Sequence, residues 1–341
     1  LHQSSKIKYE LFEIHCRIEA RTDLAMDYDV SLVLFLQSYP ALDFLMKFLS
    51  HLGAREFFLL LLPAIYWCGN AALGFRLGLI LTVSYGINAI CKLLWHSPRP
   101  YWVSQDVFAR SGEDSFGLPS GHAQIAASFW GLLAARVASP RAWAAAILLM
   151  LAIGISRIYL GVHFPQDVIA GWMIGAGILA AFLYGDRHLG KRLFNLSPGT
   201  QILISFAASL ALLAVFYLTQ SALRGWQMPE AWAANAFAET AQTIDPMSAK
   251  DALQAAGMLF GVASGYALMN RQGGFSAAGS ARNKALRYIL GLIVLFIIWY
   301  GPGAVLPAAG ILTYLKAALA GLWVAYIAPL CFRKMGLAEN S

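Results

Sequence analysis

Polar and apolar positions alternate along this chain on the scale of a bilayer. From residue 56 onward, apolar runs of about 17 to 25 residues, the length a helix needs to cross hydrocarbon, follow one another with short polar breaks. They fall near 56 to 73, 75 to 95, 120 to 137, 141 to 160, 164 to 184, 200 to 219, 252 to 270, 285 to 301 and 304 to 331. The pattern predicts an all-α, polytopic membrane helical bundle of about nine transmembrane helices. Residues 1 to 54 read differently. The stretch from Val30 to Leu52 is rich in Leu and Phe, but Gln37, Pro40, Asp43 and Lys47 make it too polar to span comfortably. It is expected to form interfacial helices. Glu10, Glu13, Asp23 and Asp27 interrupt the start, so no cleavable leader is expected there and insertion should rely on the first span. The loop 271 to 281 is rich in Gly and Ser and is expected to be mobile.

Composition agrees. The chain has 341 residues, 59% hydrophobic and 13% charged, with a mean hydropathy of +0.59, against a charged share of about 25% in soluble domains. The net charge of +7 lacks the basic runs interleaved with aromatics that mark nucleic-acid binding, so no nucleic-acid partner is expected. Its basic residues instead orient the bundle. Arg136, Arg141, Arg187, Lys191, Arg192, Arg271, Arg282, Lys284, Arg287, Arg333 and Lys334 all fall on one side. The positive-inside rule makes that side cytoplasmic. Loops 96 to 118 and 220 to 251, which carry Asp106, Glu113, Asp114, Glu230, Glu239, Asp245 and Asp251, lie opposite. Cys16, Cys68, Cys91 and Cys331 show no pairing or metal spacing, so neither a disulfide framework nor a zinc site is expected.

Three polar blocks break the apolar pattern: 92 to 100 (KLLWHSPRP), 119 to 122 (PSGH) and 156 to 167 (SRIYLGVHFPQD). The topology places all three on the non-cytoplasmic face. Lys92 closes one span, and the two X-Pro steps at 97 to 100 predict a helix break before Arg99. Lys92 on its own is also a fitting snorkelling anchor. Pro119 to His122 open the next span, where free backbone N–H groups, the Ser120 hydroxyl and side-chain-free Gly121 suit an anion; an ordinary helix cap is the plainer alternative. Arg157 ends one span and His163 opens another, with Asp167 four residues on and therefore on the same helical face. There a carboxylate can hold one imidazole nitrogen and leave the other free to attack, or it can serve only as a favourable charge at a helix start.

The spacings KxxxxxxRP, PSGH and SRxxxxxHxxxD resemble, residue for residue, the signature of the type 2 phosphatidic acid phosphatase superfamily, which includes lipid phosphate phosphatases, glucose-6-phosphatase and the vanadium haloperoxidases. The match covers 92 to 167, the flanking spans from about 56 to 184 look like that family's helical core, and the resemblance implies a six-helix phosphatase core within the bundle. The resemblance implies that His163 is the nucleophile, that Asp167 orients it and that His122 is the general acid. It also implies that Lys92, Arg99, Ser120, Gly121 and Arg157 hold the phosphoryl oxygens, without a metal or other cofactor. The span count and the Trp226 and Trp232 loop look like glucose-6-phosphatase and the sphingoid-base phosphate phosphatases.

The expected organisation is an N-terminal interfacial region (1 to 54), a catalytic membrane core (55 to 185) and additional helices of the same membrane domain (186 to 341). The last are open to a substrate-groove, lipid-binding or homodimer role. The favoured substrate is a phospholipid or isoprenoid phosphate met in the membrane, with a sugar phosphate or transfer to an acceptor lipid as alternatives. Tyr101, Trp102, Phe108 and Phe116 suit either interfacial anchoring or substrate contact.

Overall fold

The computed structural model describes residues 30 to 305 and 310 to 339. The expectation of no leader concerns positions outside these residues. Two short helices come first, α1 (Val30–Gln37) and α2 (Pro40–His51), bent by 81°. Next come α3 (Arg55–Ala64, continued by a π-helical turn Ile65–Gly69) and α4 (Ala71–Trp95). The rod α5 joins Gly121–Ile125, a π-helical turn and Gly131–Val137, and α6 is Pro140–Tyr159 and α7 Pro165–His188. Finally α8 (Pro198–Ala222), α9 (Lys250–Arg271), α10 (Ala281–Val305) and α11 (Gly310–Lys334) complete the bundle.

Helices stand where nine spans were expected, but among the described residues seven are long and apolar enough to cross a membrane on their own, or eight if the bent α1–α2 pair is one span. The other two, α3 and α5, are shorter than the 18 residues that distinction requires. The apolar run that reads as 56 to 73 is cut at Asn70, whose side chain accepts the Leu73 N–H at 2.9 Å and starts α4 afresh. An N-cap is invisible to hydropathy alone.

Small residues let the helices approach closely, as they do wherever lipid offers no hydrophobic drive for association. A Cβ added at Gly171 or Gly175 of α7 would stand 2.6 Å from the Ser120 carbonyl or 2.3 Å from that of Gln124. So α7 rests on the backbone that opens α5. Gly257 and Gly261 of α9 do the same against α11, 2.3 Å and 2.0 Å from the carbonyls of Tyr314 and Ala318. At the end far from the polar blocks, Asp186 binds both Arg76 (3.0 Å) and Arg136, tying α7 to α4 and α5.

The glycine-rich loop 272 to 280 is anchored rather than loose. Arg287, fully buried, donates to the carbonyls of Ala277 (3.2 Å) and Ala278 (2.9 Å), and Phe275 stacks on Tyr66 with ring centroids 6.1 Å apart. One buried guanidinium substitutes for the backbone pairing that the loop's composition does not supply.

Candidate active site

Each polar block stands at a helix end on the same face of the bundle. The break expected before Arg99 occurs after Trp95: His96 takes a left-handed conformation (φ 34°) and caps α4 through its N–H to the Lys92 carbonyl. Arg99 then precedes the short helix Pro100–Val103. Lys92, Arg99, Arg157, His122, His163 and Gly121 line one cavity of about 470 Å³. Ser120 lies beside it, fully buried as the N-cap of α5, accepting the Ala123 N–H at 3.5 Å. Its own N–H donates to the Asp167 carbonyl at 2.9 Å, joining the starts of α5 and α7.

The His163 imidazole is held at both nitrogens. Nδ1 lies 3.2 Å from Asp167 Oδ2, which also accepts the Phe164 N–H at 3.0 Å. Nε2 lies 3.3 Å from Arg99 Nη1. A guanidinium has only donors, so Nε2 accepts and the ring proton resides on Nδ1, facing the carboxylate. The tautomer leaves the Nε2 lone pair directed at the cations. Burial pushes His163 well below the ordinary histidine range, and the neighbouring charges of Arg99, Arg157 and Lys92 push it the same way. The ring is therefore held in its neutral form.

The cations are buried, with Arg99 fully enclosed and Arg157 2% exposed, and each is oriented by neutral acceptors. Lys92 Nζ donates to Ser115 Oγ (2.8 Å) and the Phe116 carbonyl (2.6 Å). Arg99 donates to the carbonyls of Ser115 (2.6 Å), Val162 (2.9 Å) and Phe116 (3.1 Å). Arg157 donates to Ser50 Oγ at 2.6 Å. Gly117 makes the loop's approach feasible: a Cβ there would stand 2.5 Å from the Pro98 carbonyl and 3.1 Å from Asp167 Oδ2. Gly121 sits tightly too, where a Cβ would come within 3.0 Å of Asn88 Oδ1.

Several of these partners were not apparent in the sequence. Glu113 binds Arg157 and lies 3.8 Å from Arg99 Nη2. Burial would raise its carboxyl, but Arg157 and then Arg99 outweigh that and hold it far below the usual carboxylate range. Glu113 thus brings an anionic group to two of the cations. Asn88 bridges the Pro119 carbonyl (3.3 Å) and Gln124 Oε1 (3.0 Å), and Gln124 donates to the Ser84 carbonyl (2.7 Å), so α4 grips the start of α5. Both are polar residues inside apolar runs, which is a legible signal of a buried contact.

The bent α1–α2 pair packs over this region. Its Gln37 donates to the carbonyls of Phe108 (2.8 Å) and Tyr159 (3.1 Å), and its Asp43 pairs with Arg110 at 2.7 Å. Two of the polar residues that made the segment read as interfacial, Gln37 and Asp43, are clamps on the loop 104 to 118. From the other side comes the loop after α8: Trp226 meets Phe116 edge-on at 5.4 Å, Trp232 lies 6.1 Å from Trp102, and Asn235 donates to the Trp102 carbonyl at 3.0 Å. Tyr101, Trp102 and Phe116 are fully buried, so of the four loop aromatics only Phe108, 62% exposed, is available as an anchor. The arrangement is a pocket lined by three buried basic side chains, with a held, neutral imidazole at its wall.

Comparison with known proteins gives a consistent picture. A family profile described as the PAP2 superfamily matches residues 73–190, and one described as PAP2 superfamily phosphatase, transmembrane extension, matches residues 253–340. The chain is 31% identical over 179 residues to a probable sphingosine-1-phosphate phosphatase of Dictyostelium discoideum, covering 47% of this chain and 43% of that protein. It is 28% identical over 190 residues to glucose-6-phosphatase 3 of Rattus norvegicus (48% and 54%). It is 30% identical over 165 residues to phosphatidylglycerophosphatase B of Bacillus subtilis (44% and 77%). The chain spans about half the length of the first two of these relatives.

Proposed function

The chain belongs to the PAP2 superfamily, and from that premise we propose that it is a multi-pass membrane phosphatase hydrolysing a lipid phosphate or diphosphate through a phosphohistidine on His163. The observation that carries this reading is the geometry of His163, its proton held toward Asp167 and its free nitrogen turned to Arg99. Nε2 attacks phosphorus and the bond to the leaving oxygen breaks. Lys92, Arg99 and Arg157 balance the charge spread over the three equatorial oxygens, the stabilisation that phosphoryl transfer chiefly needs. Backbone N–H groups at the start of α5, with Ser120 and Gly121, complete the seat.

His122, on the cavity wall, protonates the leaving oxygen and then takes a proton from the water that cleaves the phosphohistidine. These charges are the chain's own, and turnover is expected to persist in EDTA. In this reading 55 to 185 form the catalytic core and 186 to 341 contribute additional membrane helices. The excess of Lys and Arg at the helix ends away from the cavity supports a periplasmic or luminal active site and a cytoplasmic C-terminus.

A second reading, hydrolysis of a sugar phosphate, draws on the likeness to glucose-6-phosphatase 3 and on the polar mouth of the cavity, where Lys47, His51, Glu56 and Ser111 stand. The deciding experiment is phosphate release by the purified full chain, with EDTA, from phosphatidate, a sphingoid-base phosphate, undecaprenyl diphosphate and glucose 6-phosphate. Release from the lipids is expected. Turnover of glucose 6-phosphate alone selects the second reading, and label appearing on an acceptor lipid rather than as free phosphate makes the protein a transferase.

Glu113 should give way to the incoming phosphate, since both need Arg157. Glu113→Gln removes that competing negative charge from a seat of low dielectric. Orthophosphate or vanadate is then expected to inhibit about tenfold more tightly. Unchanged or weaker inhibition would show that Glu113 keeps its contact while the anion is bound.

A further inference from the structure

A second, narrow and almost wholly apolar chamber of about 90 Å³ lies between α3, α4, α9, α10 and α11, and it shares Arg55, Tyr85 and Asp251 with the phosphate cavity. Three helices run continuously from one space into the other. On α4 the face that carries Lys92, Ala89 and Asn88 in the cavity continues through Tyr85 to Leu81 and Gly78 in the chamber, steps of three and four residues that keep one stripe. On α9 the stripe descends from Asp251 through Ala255 and Met258 to Val262. On α3 it runs from Arg55 through Phe58 to Leu62.

The boundary between the two spaces is polar. Arg55 pairs with Asp251 at 2.6 Å, donates to Gln254 at 2.6 Å and stands over the Tyr85 ring, 5.6 Å from its centroid. Below it every wall is apolar except Thr82, and Leu295 and Trp299 of α10 line the chamber with Val324 of α11. At 1.5 Å per residue, the chamber face of α9 from Asp251 to Val262 spans about 16 Å, roughly half the hydrocarbon thickness.

We propose that this chamber is the binding site for a single alkyl chain of the substrate, so that the substrate is a lipid phosphate whose phosphate sits on Lys92, Arg99 and Arg157 while its chain descends past the Arg55–Asp251 pair. The proposal rests on the phosphatase reading and deepens it. Its occupant follows from continuity: below a ligand anchored in the cavity by its phosphate, the same three helix faces continue into hydrocarbon-like surroundings, with the Arg55–Asp251 pair at the boundary. A sugar has no group to place there. The helices that extend beyond the catalytic core, α9 to α11, thereby acquire a task, since they supply Asp251, Met258, Trp299 and Val324 to the chamber.

The test measures kcat/KM of the full chain for water-soluble n-alkyl phosphates of increasing length, with glucose 6-phosphate for comparison. Each added methylene is expected to raise kcat/KM by about two- to fourfold until the chamber is filled. Gly78→Leu places a side chain in the chamber at a position where an added Cβ meets only Val262, at an ordinary 3.5 Å. It should lower the ratio of longest to shortest substrate by about tenfold; Gly78→Ala should lower it less. If phosphate is released but the wild-type rate constant does not depend on chain length, the chamber proposal fails and the phosphatase reading stands. If no member of the series and no sugar phosphate is turned over, the phosphatase reading fails and takes the chamber with it.

Discussion

Replacing His163 by Ala is expected to abolish phosphate release, by at least about 10⁴-fold in kcat, with binding of an inert phosphate analogue within a few-fold of wild type. The two effects separate because of how the site is built. Arg99 is fixed independently of the ring by its bonds to the carbonyls of Ser115, Val162 and Phe116, and Lys92 and Arg157 have partners of their own. Loss of the imidazole therefore leaves the anion seat standing but removes the nitrogen that would carry the phosphoryl group. Exchange of label between product alcohol and substrate, which needs the covalent intermediate, should vanish along with hydrolysis. A His163→Ala protein that kept full turnover would falsify the phosphohistidine route outright.

Much of this site was legible because its chemistry is costly in hydrocarbon. Lys92, Arg99, Arg157, His163 and Asp167 interrupt apolar runs, and a charged residue at a membrane rim calls for a partner or a ligand. The four-residue spacing predicted His163 and Asp167 on one helical face; the structure sets them 3.2 Å apart by another route, since His163 precedes the N-cap Phe164 and Asp167 reaches back over the helix start. What periodicity does not carry is contact between segments remote in sequence. Ser50 lies 107 positions from the Arg157 it binds, and Gln37 lies 71 positions from the Phe108 backbone it clamps. Both residues belong to a stretch that hydropathy describes only as mixed. Glu113 was visible as one of several acidic loop residues, and its place between two guanidiniums depends on Gly117 and Ser115 drawing the loop inward. Two of the nine expected helices are shorter than their apolar runs for a related reason, because a cap such as Asn70 ends a helix without lowering local hydropathy enough to register.

Asp167→Asn should keep the fold and lower kcat by about 10³-fold, and it separates an orienting carboxylate from a mere helix cap. An asparagine side chain retains an oxygen that can accept the Phe164 N–H now given to Oδ2, so the start of α7 is preserved and expression and thermal stability should change little. The amide has no negative charge, so it cannot stabilise the imidazolium that develops as Nε2 forms its bond to phosphorus. If the amide nitrogen turns toward His163, it also favours the tautomer whose proton sits on Nε2, the atom that must attack. The pH profile supplies a second readout. In the wild type, burial and the cations hold the free enzyme's His163 below the ordinary histidine value of 6.5, so the acid limb of kcat/KM should lie below that pH, where protonation removes the attacking lone pair. Removing the carboxylate withdraws the nearest charge favouring imidazolium, and the limb should move to still lower pH while the plateau drops. A variant with an unchanged plateau and an unchanged acid limb would mean that Asp167 only caps α7 and that His163 is held by Arg99 alone.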